Sequence, residues 1–178
     1  MESKINPWKA NLTNGVILAS IGILYSLVLY FLDKTADKSL GYVSIVIQFV
    51  VLFFLLKSYR DNFMHGQITY GQSVGAGVII SLYNAIAVSL FTYILYTYID
   101  PGLVTKQLAI AEEGMRAKGG LSESQIDTAM QFTAKFMKPA VLAITGVFVG
   151  VFFGTIISMI LSIFIKRESN PLIDAPQN

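Results

Sequence analysis

The chain has 178 residues, 54% of them hydrophobic and 13% charged, with a mean hydropathy of +0.61; it is too apolar for an ordinary soluble domain and belongs in a bilayer. A formal net charge of +2, with no block of basic residues, argues against a nucleic-acid surface. Cysteine is absent, which removes disulfides, thiolate metal sites and cysteine nucleophiles together.

Four stretches are free of Asp, Glu, Lys, Arg and His: Leu12–Leu32, Gly41–Leu56, Ile68–Ile99 and Pro139–Ile165. They predict membrane spans at about 12–32, 41–57, 73–99 and 139–165, since about 20 apolar residues cross a ~30 Å hydrocarbon core. The first stretch ends in "LYFLDK" without a small-x-small cleavage site, so it reads as a retained anchor and not as a signal peptide. The second reaches spanning length only with its flanks. The third and fourth are longer than a crossing needs and are expected to project beyond the hydrocarbon.

Interfacial aromatic residues suit these limits. Trp8, Tyr59 and Tyr70 fall on one face, and Tyr30, Tyr42, Tyr93, Tyr96 and Tyr98 on the other. Lys4 and Lys9, then Lys57 and Arg60, then Lys166 and Arg167 share one side if four segments span. The other side also carries basic residues, Lys34, Lys38, Lys106, Arg116, Lys118, Lys135 and Lys138. Because "KSYR" and "KR" abut the span ends directly, the first side is expected to be cytoplasmic, with both termini there.

Between the second and third spans, "YRDNFMHGQITYGQ" is dense in polar and turn-forming residues. Gly66 permits a turn, and Thr69 with Gln72 has capping-box spacing, so the third helix should begin near Tyr70. Arg60 and Lys57 read as anchors on anionic headgroups. A cytoplasmic-face site built from Tyr59, Arg60, Asp61, Asn62 and His65 is the alternative. His65 is the only histidine, so one chain cannot build a multi-histidine metal site.

Residues 100–138 form the one sizeable extramembrane region and read as an outer helical hairpin. Asp100 caps its first helix, with Pro101 at the first helical position, and Gly119 and Gly120 end it. "SESQ" at Ser122–Gln125 is a second capping box. Ile126, Met130, Thr133 and Met137 then recur at helical spacing beside Ala129, Phe132 and Phe136. This stripe packs on the partner helix or the membrane surface, or else docks another protein. The tail 168–178 holds two prolines and no periodicity, and is expected to be mobile.

Small residues mark the candidate packing faces. In the last span Gly146, Gly150, Gly154, Ser158 and Ser162 recur every fourth position, a pattern that lets two helix backbones approach closely in lipid. The third span offers Gly71 and Gly75, with Gly77 offset and Ser81 and Ala85 nearby. The faces either pack on each other within one chain or serve a second copy or a partner subunit. Polar residues inside the spans are few: Gln48 lies at the centre of the second, and Tyr83 and Asn84 near the centre of the third. Midplane amides are costly unless bonded, so Gln48 and Asn84 should face the bundle and bond one another or backbone carbonyls; a pore or substrate site is the functional alternative. No ionisable group lies in the spans, against ion-coupled transport.

The stretches "YRDNFMHGQITYGQSVGAGVIISL", "YTYIDP" and "KPAVLAITGVFVGVFFGTIISMILSIFIKR" together resemble the domain of unknown function 4199 family of small Bacteroidetes membrane proteins, over nearly the whole chain. His65 stands where that pattern has Asn or Asp, which argues against a family-wide role for it. The resemblance implies four helices in the bacterial inner membrane and no catalytic residues. It also implies a setting beside a polyprenyl-phosphate glycosyltransferase, hence an accessory role in envelope synthesis.

No phosphate loop, nucleophile elbow or zinc-protease motif occurs, and no cofactor is expected. The fold class is all-α: one integral membrane domain, a four-helix transmembrane bundle contacting lipid. Three functions fit. The leading one is a non-catalytic accessory or assembly subunit holding a partner or a second copy. A small transporter or lipid-handling protein requires a cavity at the level of Gln48 and Asn84. A membrane enzyme requires Arg60, Asp61 and His65 to converge in one pocket.

Overall fold

The structure, a computed structural model, describes residues 6–35 and 37–168; Lys4 and the tail beyond residue 168 lie outside the described residues. Among the described residues six α-helices follow one another: α1 Pro7–Phe31, α2 Lys38–Phe63, α3 Tyr70–Ile94, α4 Gly102–Lys118, α5 Glu123–Phe136 and α6 Pro139–Ile165. A π-helical turn, Leu95–Ile99, continues α3. Four of these elements are long and apolar enough to cross a membrane: α1, α2, α3 with its π turn, and α6.

Local chemistry sets the helix limits. The α1 helix starts ahead of its charge-free stretch because the Asn6 side chain accepts from the N–H groups of Trp8 (3.0 Å) and Lys9 (3.4 Å), with Pro7 at the first helical position. The α2 helix outruns 41–57 at both ends, from the Asp37 cap on Ser39 N–H to Phe63. Its 26 residues measure about 39 Å, so it needs no flanking coil to cross. Thr69 and Gln72 form a complete capping box on α3, and Ser122 and Gln125 form another on α5. At α4 the start shifts by one residue: Asp100 Oδ1 accepts from Gly102 N–H (3.0 Å), and Pro101 precedes the first helical residue. Gly119 (φ +66°) and Gly120 (φ +82°) then take the left-handed conformation that breaks α4 from α5. Arg116 pairs with Glu112 at 3.0 Å and spans the break to Glu123 at 2.6 Å.

The most extensive contact in the molecule joins α3 to α6. The two run antiparallel, and five residues of each meet at four-residue intervals. Ser73 faces Ser162, Gly77 faces Ser158, Ser81 faces Gly154, Ala85 faces Gly150 and Ser89 faces Gly146. A Cβ placed on Gly150 would stand 2.9 Å from that of Ala85, and one on Gly77 would stand 2.6 Å from that of Ser158. On Gly154 it would run into Ser81, and on Gly146 it would lie 2.8 Å from Ser89 Oγ. The backbones are therefore as close as small residues permit. At the Ser73–Ser162 pair the two hydroxyls share a hydrogen bond of 2.8 Å.

The α6 row thus packs within the chain. Of the α3 residues expected there, Gly77, Ser81 and Ala85 line the seam, whereas a Cβ on Gly71 or Gly75 would meet nothing within 4 Å. The opposing row follows the four-residue register of α6, and serine or alanine serves in it as well as glycine. A second close approach sets α1 on α3, where Gly15 leaves room for the Tyr83 side chain.

The buried core lies at one end of the bundle, in Leu18, Leu52, Leu56, Tyr59, Ile68, Ile80, Leu161 and Ile165 among others. From Ser39 to Val50 no α2 side chain is buried, whereas Leu52, Leu55, Leu56 and Tyr59 all are. The bundle is closed at the end of α2 that leads to α3 and open at the other.

The seam generates a test. Gly150→Leu should lower the melting temperature in mild detergent, at a cost of about 3 kcal/mol, the upper end for overpacking. Val149→Leu, on a side chain 53% exposed, and Gly75→Leu should leave it unchanged. Equal behaviour of the three variants, measured by a thermal-shift assay, would remove the seam.

Candidate functional site

Two regions carry the polar residues singled out in the sequence, one at each end of the bundle. At the closed end, the Tyr59–Gln72 stretch forms a clasp. Tyr59 is buried in the core, with its ring stacked on Phe63 at 5.8 Å. Arg60 pairs through Nε with Asp61 (2.7 Å) and donates through Nη1 to the Ile165 carbonyl (3.2 Å). That carbonyl is one of the unsatisfied groups at the α6 C-terminus, where a cation also complements the helix dipole.

His65 (φ +52°) and Gly66 (φ +78°) then turn the chain, with Gly66 N–H bonded to the Arg60 carbonyl at 3.0 Å. Ile68 and Arg167 next exchange both backbone hydrogen bonds at 2.9 Å. The loop is thereby tied to the end of α6 before Thr69 and Gln72 start α3. Tyr70 donates to the Met159 carbonyl (3.3 Å), and Gly71 faces open space.

The convergence required for a site at this loop does not occur. His65 and Asp61 are exposed, and Arg60 is committed to Asp61 and α6. None of the three lines the principal cavities. Two buried residues at this end escaped the sequence reading, Asn11 and Asn14. Asn11 donates to the Pro7 carbonyl (2.9 Å) and accepts from Asn14 (3.2 Å), beside the Tyr59 hydroxyl. The available signal was an Asn-x-x-Asn pair at helical spacing ahead of an apolar run.

The open end holds the cleft. Gln48 and Asn84, both half-buried, line the same two adjoining cavities. The first, of about 360 Å³, lies between α1, α2 and α3 and is walled by Leu18, Ile21, Leu29, Ile47 and Val88, with Tyr25 and Ser26 among its polar groups. The second, of about 370 Å³, reaches Ser89, Thr92 and Tyr96 of α3 and its π turn, Gln107 of α4 and Gly146 of α6. A smaller cavity of about 140 Å³ shares Ser26 and Leu29 with the first and Tyr96 and Gln107 with the second. Together they form one cleft beneath α4.

The two amides come together but do not bond as expected. Among the described residues neither has a hydrogen-bond partner, because the exposed half of α2 stands off α3 at this level and leaves space between them. Tyr83 is not part of the cleft. Its side chain turns back over Gly15, donates to the Trp8 carbonyl (3.4 Å) and meets the Trp8 ring edge-on.

The roof is tethered to the bundle. Gln107 of α4 donates to the Tyr96 hydroxyl (3.0 Å), Tyr30 donates to Asp100 (3.2 Å), and Lys106 pairs with Asp33. The π turn brings Tyr96 to this position, and such turns recur at functional sites. Half-buried amides above apolar walls can accept hydrogen bonds, donate them and hold an aliphatic chain, so the chemistry on offer is binding. No group of three or more potential metal-ligating side chains occurs among the described residues.

Comparison with curated proteins and with solved structures finds no match. The family model described as "Protein of unknown function (DUF4199)" matches residues 13–167, from the first span through the clasp at Arg167, and the chain belongs to that family.

Proposed function

We propose that this multi-pass membrane protein is a non-catalytic lipid-handling protein of the bacterial inner membrane, which holds an amphiphilic molecule in the cleft beneath α4. The observation that carries this reading is the pair Gln48 and Asn84, two unbonded amides on shared cavities at the level of the membrane spans. Unpaired amides in an apolar setting cost free energy that a bound polar group or water offsets. The apolar walls suit an acyl or prenyl chain, and the cleft lies within the size range of small-molecule sites.

The basic residues at the closed end, Lys9, Lys57, Arg60, Lys166 and Arg167, favour placing that end and both termini in the cytoplasm. In this orientation α4 and α5 form an extracytoplasmic helical hairpin, and the cleft opens in the outer half of the bilayer.

A second reading, an accessory or assembly subunit, retains one supporting observation. The α6 glycine face is occupied by α3, so a second copy or an envelope protein, such as a polyprenyl-phosphate glycosyltransferase, would dock elsewhere. Phe132 and Phe136 of α5 are 62% and 57% exposed and stack on each other, which offers such a surface.

Orientation is testable because the chain has no cysteine to interfere. Glu113→Cys should react with a membrane-impermeant maleimide in intact spheroplasts, and Asn62→Cys only after permeabilisation; the reverse pattern would invert the topology.

For the cleft, native mass spectrometry of protein taken from its own membranes should show one bound amphiphile of defined mass. The Gln48→Leu/Asn84→Leu variant should lose it while keeping its melting temperature. A bare wild-type protein, or equal loading of both forms, would overturn the lipid-handling reading, and a stoichiometric second protein would favour the accessory one.

A further inference from the structure

We infer that the head group held in the cleft is uncharged and bears hydroxyl groups, as a neutral glycolipid does; the inference rests on the lipid-handling reading and names the ligand class of that site. The first argument is charge. Asp, Glu, Lys, Arg and His are absent from the lining of the three cavities that meet at Gln48, Asn84 and Gln107. Asp37 and Lys118 line a fourth, outer cavity between α4 and the α1–α2 connection, which adjoins the cleft through Thr35, Gly41, Gln107 and Met137 and offers one charge of each sign. A phosphate or ammonium buried among neutral groups would lose its hydration without a paired countercharge.

Helix ends do not supply the missing charge. A helix N-terminus attracts anions through its free N–H groups, but α2 and α4 meet carboxylates of the chain itself at those positions. Asp37 accepts from Ser39 N–H, and Asp100 accepts from Gly102 N–H. An anionic head at this level would meet acceptors already in place.

The second argument is the hydrogen-bonding capacity left over. Several polar groups in the lining are committed to the chain. Tyr25 donates to the Leu40 carbonyl, Ser44 to that of Gly41 and Thr92 to that of Val88. Gln48 and Asn84 have no partner among the described residues. Each offers two N–H donors and a carbonyl acceptor. Groups that both donate and accept are matched by hydroxyls, which also do both, whereas a phosphate oxygen only accepts and an ammonium only donates.

The test compares two lipids with identical acyl chains, monoglucosyl diacylglycerol and phosphatidylglycerol. Both heads carry hydroxyls, and the phosphate charge separates them. The full-length protein is reconstituted into nanodiscs containing equal amounts of the two, released in the mass spectrometer, and its bound lipids are counted.

The wild type should retain the glucolipid in clear excess over phosphatidylglycerol, because the lining of these cavities gives a phosphate no paired countercharge, and Gln48→Leu/Asn84→Leu should lower glucolipid retention roughly tenfold, since two hydrogen-bonding amides of modest individual strength together supply about that ratio. Equal or preferential retention of phosphatidylglycerol by the wild type would overturn the neutral class while leaving the lipid site standing. Retention of neither lipid beyond its share of the bilayer would overturn the lipid-handling reading itself. Glucolipid retention unchanged in the double variant would overturn the assignment to these amides.

Discussion

The close approach of α3 and α6 is the constraint from which the rest of the architecture follows. Lipid tails are as apolar as leucine, so apolar burial gives helices little reason to associate inside a bilayer; packing and polar contacts must hold them. Five pairs of small residues, from Ser73–Ser162 to Ser89–Gly146, achieve this along most of both helices. With one face of α3 given to α6, and its Tyr83 side accepting α1 over Gly15, α2 is left as the loosely held member of the bundle. Its fully buried side chains all lie in its second half. The cleft exists because α3 has no third complementary face at the level of Gln48.

Polar groups divide along the same line. At the closed end they are paired within the chain: Asn14 with Asn11, Ser162 with Ser73, Ser158 with the Gly154 carbonyl, and Arg60 with the Ile165 carbonyl. The first and third of these bonds lie within one helix and the other two join elements, and all leave little capacity for a ligand. At the open end Gln48 and Asn84 remain unpaired beside hydroxyls that are mostly committed to their own helix. Around them Tyr25, Tyr30 and Gln107 tie elements together, so the two amides stand unpaired inside a tethered frame.

Much of this was legible in the sequence because it depends on local chemistry. A capping box is a four-residue pattern, and both Thr69–Gln72 and Ser122–Gln125 form as read. The α6 row was visible because glycine is conspicuous in an apolar helix. Its partner row was legible only in part: Gly71 and Gly75 lie off the seam, which takes positions four apart in the α6 register, where Gly77, Ser81 and Ala85 continue into Ser73 and Ser89. Register between two helices is a property of the pair and cannot be seen on one of them. Gln48 and Asn84 failed to bond for a related reason. The expectation assumed uniform packing, and nothing local to α2 states that its first half stands away from α3.

The composition of the seam carries one further consequence. At four of its five levels one partner is glycine, so a single Cβ or hydroxymethyl group separates the two backbones. At the fifth, near the clasp, both partners are serine, and the contact passes through a hydroxyl hydrogen bond. Every level toward the cleft is therefore governed by steric fit, which tolerates no added volume but imposes little direction. The level beside Arg60 and the Ile68–Arg167 pairing is governed by hydrogen bonds, which do impose direction. Directional contacts between α3 and α6 thus lie beside the clasp, and steric ones along the rest of the seam, including the levels beside Gln48 and Asn84.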